Sequence, residues 1–280
     1  MTDATHIARS SGVPVVTVDG GQATRRVDML AGEEPLQILA AGPGQDPVEI
    51  AVTMRTPGHE DELAIGFLIT EGLVTPADID QVTLADPAEA SRPDDSVVVH
   101  LRAPLDLARI VQRRTVATAS CGICGTASIA DVVRRCEQLP TGPVVDRSVL
   151  SRLPLRLRAA QETFETTGGL HAAGLFDTAG ALLVLREDVG RHNALDKVIG
   201  ASATTGSLPL HDTILLVSGR VSFELVQKAA VAGIPILVAI GAPTDLAVDT
   251  AQALGMTLVG FLRGERYNVY SRPDRLGLTA

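Results

Sequence analysis

From residue 171 onward the apolar positions fall into short runs separated by stretches of helical spacing. HAAGLFD (171–177) and ALLVLRE (181–187), joined by TAG, predict a β-hairpin, and a helix follows from about Arg191 to Gly200. TILLVSG (213–219), IPILVAIG (234–241) and MTLVGFL (256–262) read as continuous apolar strands. The segments between them predict helices from about Ser222 to Gly233 and from Thr244 to Gly255. Unbroken apolar strands alternating with helices predict a mostly parallel sheet covered on both faces, an α/β fold.

The first half is more mixed. VEIAVTMRT (48–56) and SVVVHLRA (96–103) are strand-like, and Glu60–Glu71 carries apolar residues at 63, 64, 67 and 68 before Gly72, the pattern of a short amphipathic helix with a glycine stop. Residues 86–95 are expected to form a polar surface loop. Ile129, Val132, Val133, Cys136 and Leu139 recur at helical spacing until Pro140. Cys136 is therefore expected to act as a small hydrophobe on a helix stripe.

The predicted topology nominates a binding edge. In α/β sheets of this kind the ligand crevice lies beyond the C-terminal ends of the strands. The segments there are SGRVS (218–222), GAPTD (241–245) and RGERYN (263–268), two of which open helices whose free N–H groups suit anions. They bring Arg220, Arg263 and Arg266 to one rim, which points to a phosphate-bearing ligand; the alternative is that each arginine is a solvated surface charge. Neither a GxGxxG loop nor a Walker-type loop is present.

Composition narrows the field. The chain has 280 residues, 45% of them hydrophobic, enough to bury a core made of Val, Leu, Ile and Ala, because aromatics are only 2% and tryptophan is absent. Aromatic base stacking, and with it nucleic-acid binding of that kind, is disfavoured. The net charge of −9 disfavours a general polyanion binder while permitting a local basic pocket. No apolar run reaches the length of a membrane helix or forms a signal peptide at the N-terminus, so a cytoplasmic location with reduced thiols is expected.

Two of the three cysteines, Cys121 and Cys124, stand in TASCGICGTASI (118–129), between glycines and ahead of the predicted helix. A zinc ribbon needs four ligands and commonly a second such pair, which is missing. A zinc deaminase needs HxE and PCxxC, whereas His59 leads an HxD and Ser120 stands where the proline belongs. A thioredoxin-like dithiol remains open, as does sulfur transfer, in which a thiolate attacks the outer sulfur of a persulfide. A helix N-terminus downstream, or Arg113 and Arg114 upstream, would favour the thiolate. Spacing alone does not choose among metal, redox and sulfur chemistry.

Five segments together resemble one family: SCGICG (120–125), TGGLHAAGLF (167–176), REDVGRHNALDKVIG (186–200), SGRVSFELVQKAA (218–230) and FLRGERYNVY (261–270) are similar to the formate dehydrogenase accessory sulfurtransferases, the FdhD/NarQ family, over roughly residues 24–273. The resemblance implies a cytoplasmic homodimer with a cytidine-deaminase-like α/β core that lacks the zinc site, and no structural metal. It implies that sulfur is taken as a persulfide from a cysteine desulfurase and passed to the molybdenum bis(molybdopterin guanine dinucleotide) cofactor before insertion into formate dehydrogenase. On this likeness Cys121 carries the persulfide and Cys124 assists, and Phe261, Leu262, Arg263, Gly264, Glu265 and Arg266 bind the cofactor, with Arg220 beside them. Arg191 and His192, at a helix start, are expected to hold the cofactor or the cysteine loop, with His171 as a rival; the alternative is that Asp188 caps the helix and His192 is structural. A cofactor-escorting chaperone without chemistry is the alternative function. The chain is then expected to divide into a flexible N-terminal segment (1–23), a mixed α+β region (24–115), the CxxC loop and its helix (116–140), an α/β cofactor-binding region (141–273) and a C-terminal tail (274–280).

Overall fold

The computed structural model describes residues 9–85, 95–106 and 138–279. The cysteine loop, its following helix and nearly all of the polar loop at 86–95 lie outside the described residues.

Twelve strands and six α-helices are described. A hairpin, β1 (Ser10–Asp19) and β2 (Gln22–Ala31), is followed by β3 (Glu34–Ala41), β4 (Val48–Arg55), α1 (Glu60–Thr70), β5 (Ile79–Leu84) and β6 (Ser96–Leu101). Then come α2 (Arg147–Ala160), α3 (Glu162–Thr167), β7 (His171–Asp177), β8 (Leu182–Asp188), α4 (Arg191–Thr204), β9 (Thr213–Val217), α5 (Phe223–Val231), β10 (Ile236–Ala239), α6 (Asp245–Ala253), β11 (Thr257–Arg263) and β12 (Arg266–Ser271).

The main sheet has the order β12-β11-β10-β9-β7-β8. Its centre, β9-β10-β11, is parallel, as the apolar runs predict. The flanks correct the expectation of a mostly parallel sheet, since β12, β7 and β8 all pair antiparallel. The reason lies in the connections: β11 to β12 and β7 to β8 are tight turns, which only antiparallel neighbours allow. A second sheet, β4-β3-β6-β5, is also mixed, with β3 and β6 parallel.

Both faces of the main sheet are covered. On one, Val149, Leu150, Leu153 and Leu157 of α2 pack on Phe176, Leu216, Val238 and Val259. On the other, α1, α4, α5 and α6 join the two sheets in one core that includes Leu36 and Val99 of the second sheet and Leu215 and Leu237 of the main one. The sandwiched position of α1 explains why it departs from the amphipathic pattern: Ile65, Gly66, Ile69 and Thr70 are buried along with Leu63, Ala64 and Leu68 of the expected stripe, while Phe67 is half-buried. Two glycines permit the closeness of α1 and α4. A Cβ at Gly66 would lie 1.8 Å from the Asp196 carbonyl oxygen, and one at Gly200 1.8 Å from that of Glu62.

Both chain ends carry more structure than the sequence reading gives them. The first strand begins at Ser10, inside the segment read as flexible. Arg275, in the segment read as a tail, is 1% exposed. Its guanidinium donates to the carbonyls of Pro140, Thr141 and Gly255, clamping the chain end to the start of β11.

Candidate functional site

The loops after β9, β10 and β11 meet through their backbones. Gly241 N–H donates to Gly219 O (3.1 Å), Val221 N–H to Ala242 O (3.0 Å), Thr244 N–H to Val221 O (2.9 Å) and Phe261 N–H to Gly241 O (3.0 Å). Glycine is required at 241, where a Cβ would stand 2.6 Å from the Gly219 carbonyl oxygen. The edge nominated by topology is thus one continuous surface. Ser222 opens α5 there, and the Thr244 hydroxyl caps α6 by accepting from Ala247 N–H.

Antiparallel pairing adds a third helix start. Because β7 runs against β9, its first residue, His171, lies beside Gly219, where a Cβ would be 3.2 Å from His171 Nδ1. Asp188 ends β8 opposite His171, and α4 begins at Arg191 on the same edge. Three helix N-termini therefore open on this surface, giving it positive backbone potential in an acidic protein.

Among the predicted residues, Arg220, Phe261, Arg263, Gly264, Glu265 and Arg266 are exposed and Leu262 is buried beneath them. Arg263 and Arg266 face each other in register across a two-residue turn, Gly264–Glu265, so the segment is a hairpin tip and not an open loop. The Arg263 guanidinium folds back to donate to Ile240 O (2.7 Å) and Leu262 O (3.0 Å). Phe261 has φ 56°, a left-handed conformation uncommon for a bulky side chain, next to the register shift between Gly260 and Arg263. Strain of this sort persists where the surroundings impose it and is concentrated at functional surfaces.

His192 Nε2 lies 2.7 Å from Glu224 Oε2 and 3.3 Å from Ser222 Oγ, tying α4 to α5. This hydrogen bond holds the Glu224 carboxyl below its usual range. Burial, reinforced by the neighbouring Arg191, pushes the His171 imidazole down, so it is neutral near pH 7. Arg191 Nε is buried without a hydrogen-bond partner among the described residues. Glu224 was not legible as a site residue, because SFELVQK reads simply as a helix start; its signal exists only once α4 and α5 are adjacent.

The string REDVGRHNALDK turns out to be chiefly a clamp. Arg186 forms a bidentate pair with Glu62 of α1. Glu187 accepts from the N–H groups of Thr163 and Phe164 at the start of α3. Asp188 accepts from Thr56 N–H and Gly190 N–H and pairs with Lys197 at 2.7 Å, so it secures the approach to α4 although the helix cap itself is Gly190. Asp196 pairs with Lys228 of α5 at 2.9 Å and accepts from the Thr70 hydroxyl. Burial alone would lower the Lys228 ammonium, but Asp196 and Glu71 outweigh it and hold it raised.

Cys121 and Cys124 lie outside the described residues. His59, the candidate of the failed deaminase pattern, caps α1 in a left-handed conformation and contacts Arg9 and Glu62. Among the described residues no group of His, Cys, Asp and Glu could hold a metal ion, and no helix is long and apolar enough to cross a membrane.

Comparison with known proteins gives a consistent picture. Residues 31–277 match the model of the FdhD/NarQ family. The chain is 46% identical over 274 residues to the sulfur carrier protein FdhD of Streptomyces avermitilis, covering 95% of each chain. It is 42% identical over 251 residues to the protein of the same name from Sulfurisphaera tokodaii, covering 89% of this chain and 92% of that one. In fold it is similar to a crystal structure described as a formate dehydrogenase accessory protein from Desulfotalea psychrophila, with a TM-score of 0.74 at 24% identity over 96% of this chain and 100% of that one.

Proposed function

The chain belongs to the FdhD/NarQ family, and from that premise we propose that it is a sulfurtransferase required for formate dehydrogenase activity. The observation that carries the reading is its 46% identity, over nearly the whole chain, to relatives named sulfur carrier protein FdhD. The reading is of a cytoplasmic homodimer whose main sheet and helices form a cytidine-deaminase-like core, with no structural metal.

In this reading Cys121 receives sulfur from a cysteine desulfurase. Its thiolate attacks the outer sulfur of the donor persulfide; that S–S bond breaks, the donor leaves as a thiolate, and a new S–S bond forms on Cys121. No external oxidant is consumed. Cys124 assists the onward step: its thiolate attacks the inner sulfur on Cys121, a Cys121–Cys124 disulfide forms, and the outer sulfur leaves as hydrosulfide to the molybdenum bis(molybdopterin guanine dinucleotide) cofactor, the cargo later inserted into formate dehydrogenase; a small-molecule or protein dithiol reductant then returns both cysteines to thiols. That cargo is bulky and polyanionic, and the edge with three helix starts, Arg191, Arg220, Arg263 and Arg266 offers the matching charge. His192 lies on this edge, held by Glu224.

The test is mass spectrometry after incubation with a cysteine desulfurase and cysteine. One sulfur atom is expected on Cys121, and Cys121→Ala is expected to lose both the label and the activation of formate dehydrogenase. Full activation by Cys121→Ala would instead favour an escort role without chemistry.

A further inference from the structure

A cavity of about 180 Å³ lies between the β4–α1 turn, β8, Lys197 of α4 and the junction of α2 with α3. None of its walls belongs to the arginine-bearing edge. Lys197, 1% exposed, gives two of its three N–H groups to Asp188 Oδ2 (2.7 Å) and Thr56 O (2.8 Å), and the third has no partner among the described residues. Arg186 gives three of its five N–H groups to Glu62 and to Leu185 O, and the other two are likewise open. The Arg9 guanidinium lies across Gly58, where a Cβ would be 2.8 Å from Nη2, and bonds only His59 Nε2 (3.0 Å) among the described residues. Two carboxylates share the lining. Glu187 accepts from Thr163 N–H and Phe164 N–H, one on each oxygen, so each oxygen keeps acceptor capacity. The Glu162 carboxylate bonds nothing among the described residues.

We propose that this cavity binds one free α-amino acid with a small side chain, held as its zwitterion. The balance of charge selects that ligand. Arg186 and Lys197 already face Glu62 and Asp188, so a simple anion would meet no surplus of positive charge and would have Glu162 and Glu187 beside it. A simple cation would meet Arg9, Arg186 and Lys197. A ligand carrying both charges suits both sets of groups: its carboxylate accepts from the open N–H groups of Lys197, Arg186 and Arg9, and its ammonium donates to Glu187 and Glu162.

Size sets the side chain. At the ~30 Å³ that a water molecule takes in the liquid, the cavity holds about six waters. That is room for alanine or serine and too little for an aromatic amino acid. Pro57, Ala160 and Leu185 supply the apolar part of the wall and suit a short side chain. The same volume excludes a dinucleotide cargo, so the site is distinct from the open edge and the inference does not rest on the sulfur reading.

The test is isothermal titration calorimetry of the full-length protein with L-alanine, L-serine, L-tryptophan, acetate and methylamine. L-alanine or L-serine is expected to bind once per chain with a dissociation constant between ~10 µM and ~1 mM. Acetate and methylamine, each of which leaves one set of charges unpaired, are expected to bind at least ~10-fold more weakly, and L-tryptophan not at all. Arg9→Ala and Glu162→Gln are each expected to weaken L-alanine about 10-fold. Both side chains are exposed, so the wild-type thermal midpoint should be kept, which separates lost binding from lost folding. Ala160→Leu, which fills the cavity from the end of α2, is expected to abolish binding. No binding of L-alanine or L-serine up to ~10 mM, acetate or methylamine binding as tightly as L-alanine, a site open to L-tryptophan, or unchanged affinity in both Arg9→Ala and Glu162→Gln would each overturn the proposal.

Discussion

The Lys197 ammonium stands 2.7 Å from the Asp188 carboxylate, and both side chains are sealed from solvent. Lys197 also donates to Thr56 O, and Asp188 to its other side accepts from Gly190 N–H, so one buried ion pair joins the β4–α1 turn to the start of α4. Burial pulls the Lys197 amine below its ordinary value even with Asp188 beside it. The pair is therefore valuable mainly as a unit. Lys197→Met, which strands a buried carboxylate, is expected to cost about 3–5 kcal/mol by urea unfolding, and adding Asp188→Asn is expected to recover most of that loss.

The contact between α1 and α4 tolerates no side chain at its two glycines. Gly66→Ala or Gly200→Ala would drive a methyl group into backbone carbonyl oxygen. Each is expected to destabilise by about 1–3 kcal/mol or more, seen as a lower thermal midpoint, because rigid backbone on both sides cannot relax independently.

Glu62 gives the fold an acid-sensitive contact. Burial would raise its carboxyl, but hydrogen bonds from Arg186 and His59 prevail and lower it from 4.5 to about 2. A carboxyl depressed in the folded state stabilises above its unfolded value and loses that contribution as pH falls. Wild-type stability is therefore expected to drop between pH 4.5 and about 2. Glu62→Gln is expected to be less stable at neutral pH and to show a flatter dependence across that window, measured by denaturant titration.

On the open edge, Glu224 is held in its ionised form first by the His192 hydrogen bond. His192→Ala is expected to let the Glu224 carboxyl climb back toward its ordinary value, followed by carbon-detected NMR titration. Fold stability should change little, since both side chains remain partly exposed.

Cargo binding offers a separate check on the arginines. Arg220→Ala and Arg263→Ala are each expected to weaken a guanosine diphosphate probe about tenfold, the loss of one charge-assisted hydrogen bond, with affinity falling as salt rises. Equal affinity in both variants and the wild type would remove this edge from the cargo site.

By itself the sequence determined the parallel centre of the main sheet, its helices and the edge where SGRVS, GAPTD and RGER meet, because continuous apolar runs and local helix starts are encoded within a few residues of each position. The CxxC pair and the five shared segments were equally legible, and the segments together point to the family, although the spacing of the pair alone does not choose its chemistry. The antiparallel flanks could not be read with the same ease, since an apolar run looks alike whichever way its neighbour points. Nor could the burial of α1 beyond its expected stripe, which depends on two sheets closing over it. The charged string around Asp188 invites a functional reading in one dimension. Only the tertiary structure shows Asp188, Asp196 and Lys197 turned inward to partners on other elements, up to 141 residues away, and His192 alone with Arg191 turned to the open edge. Local periodicity fixes elements; the pairing of distant charges depends on which elements meet, and that is decided by packing.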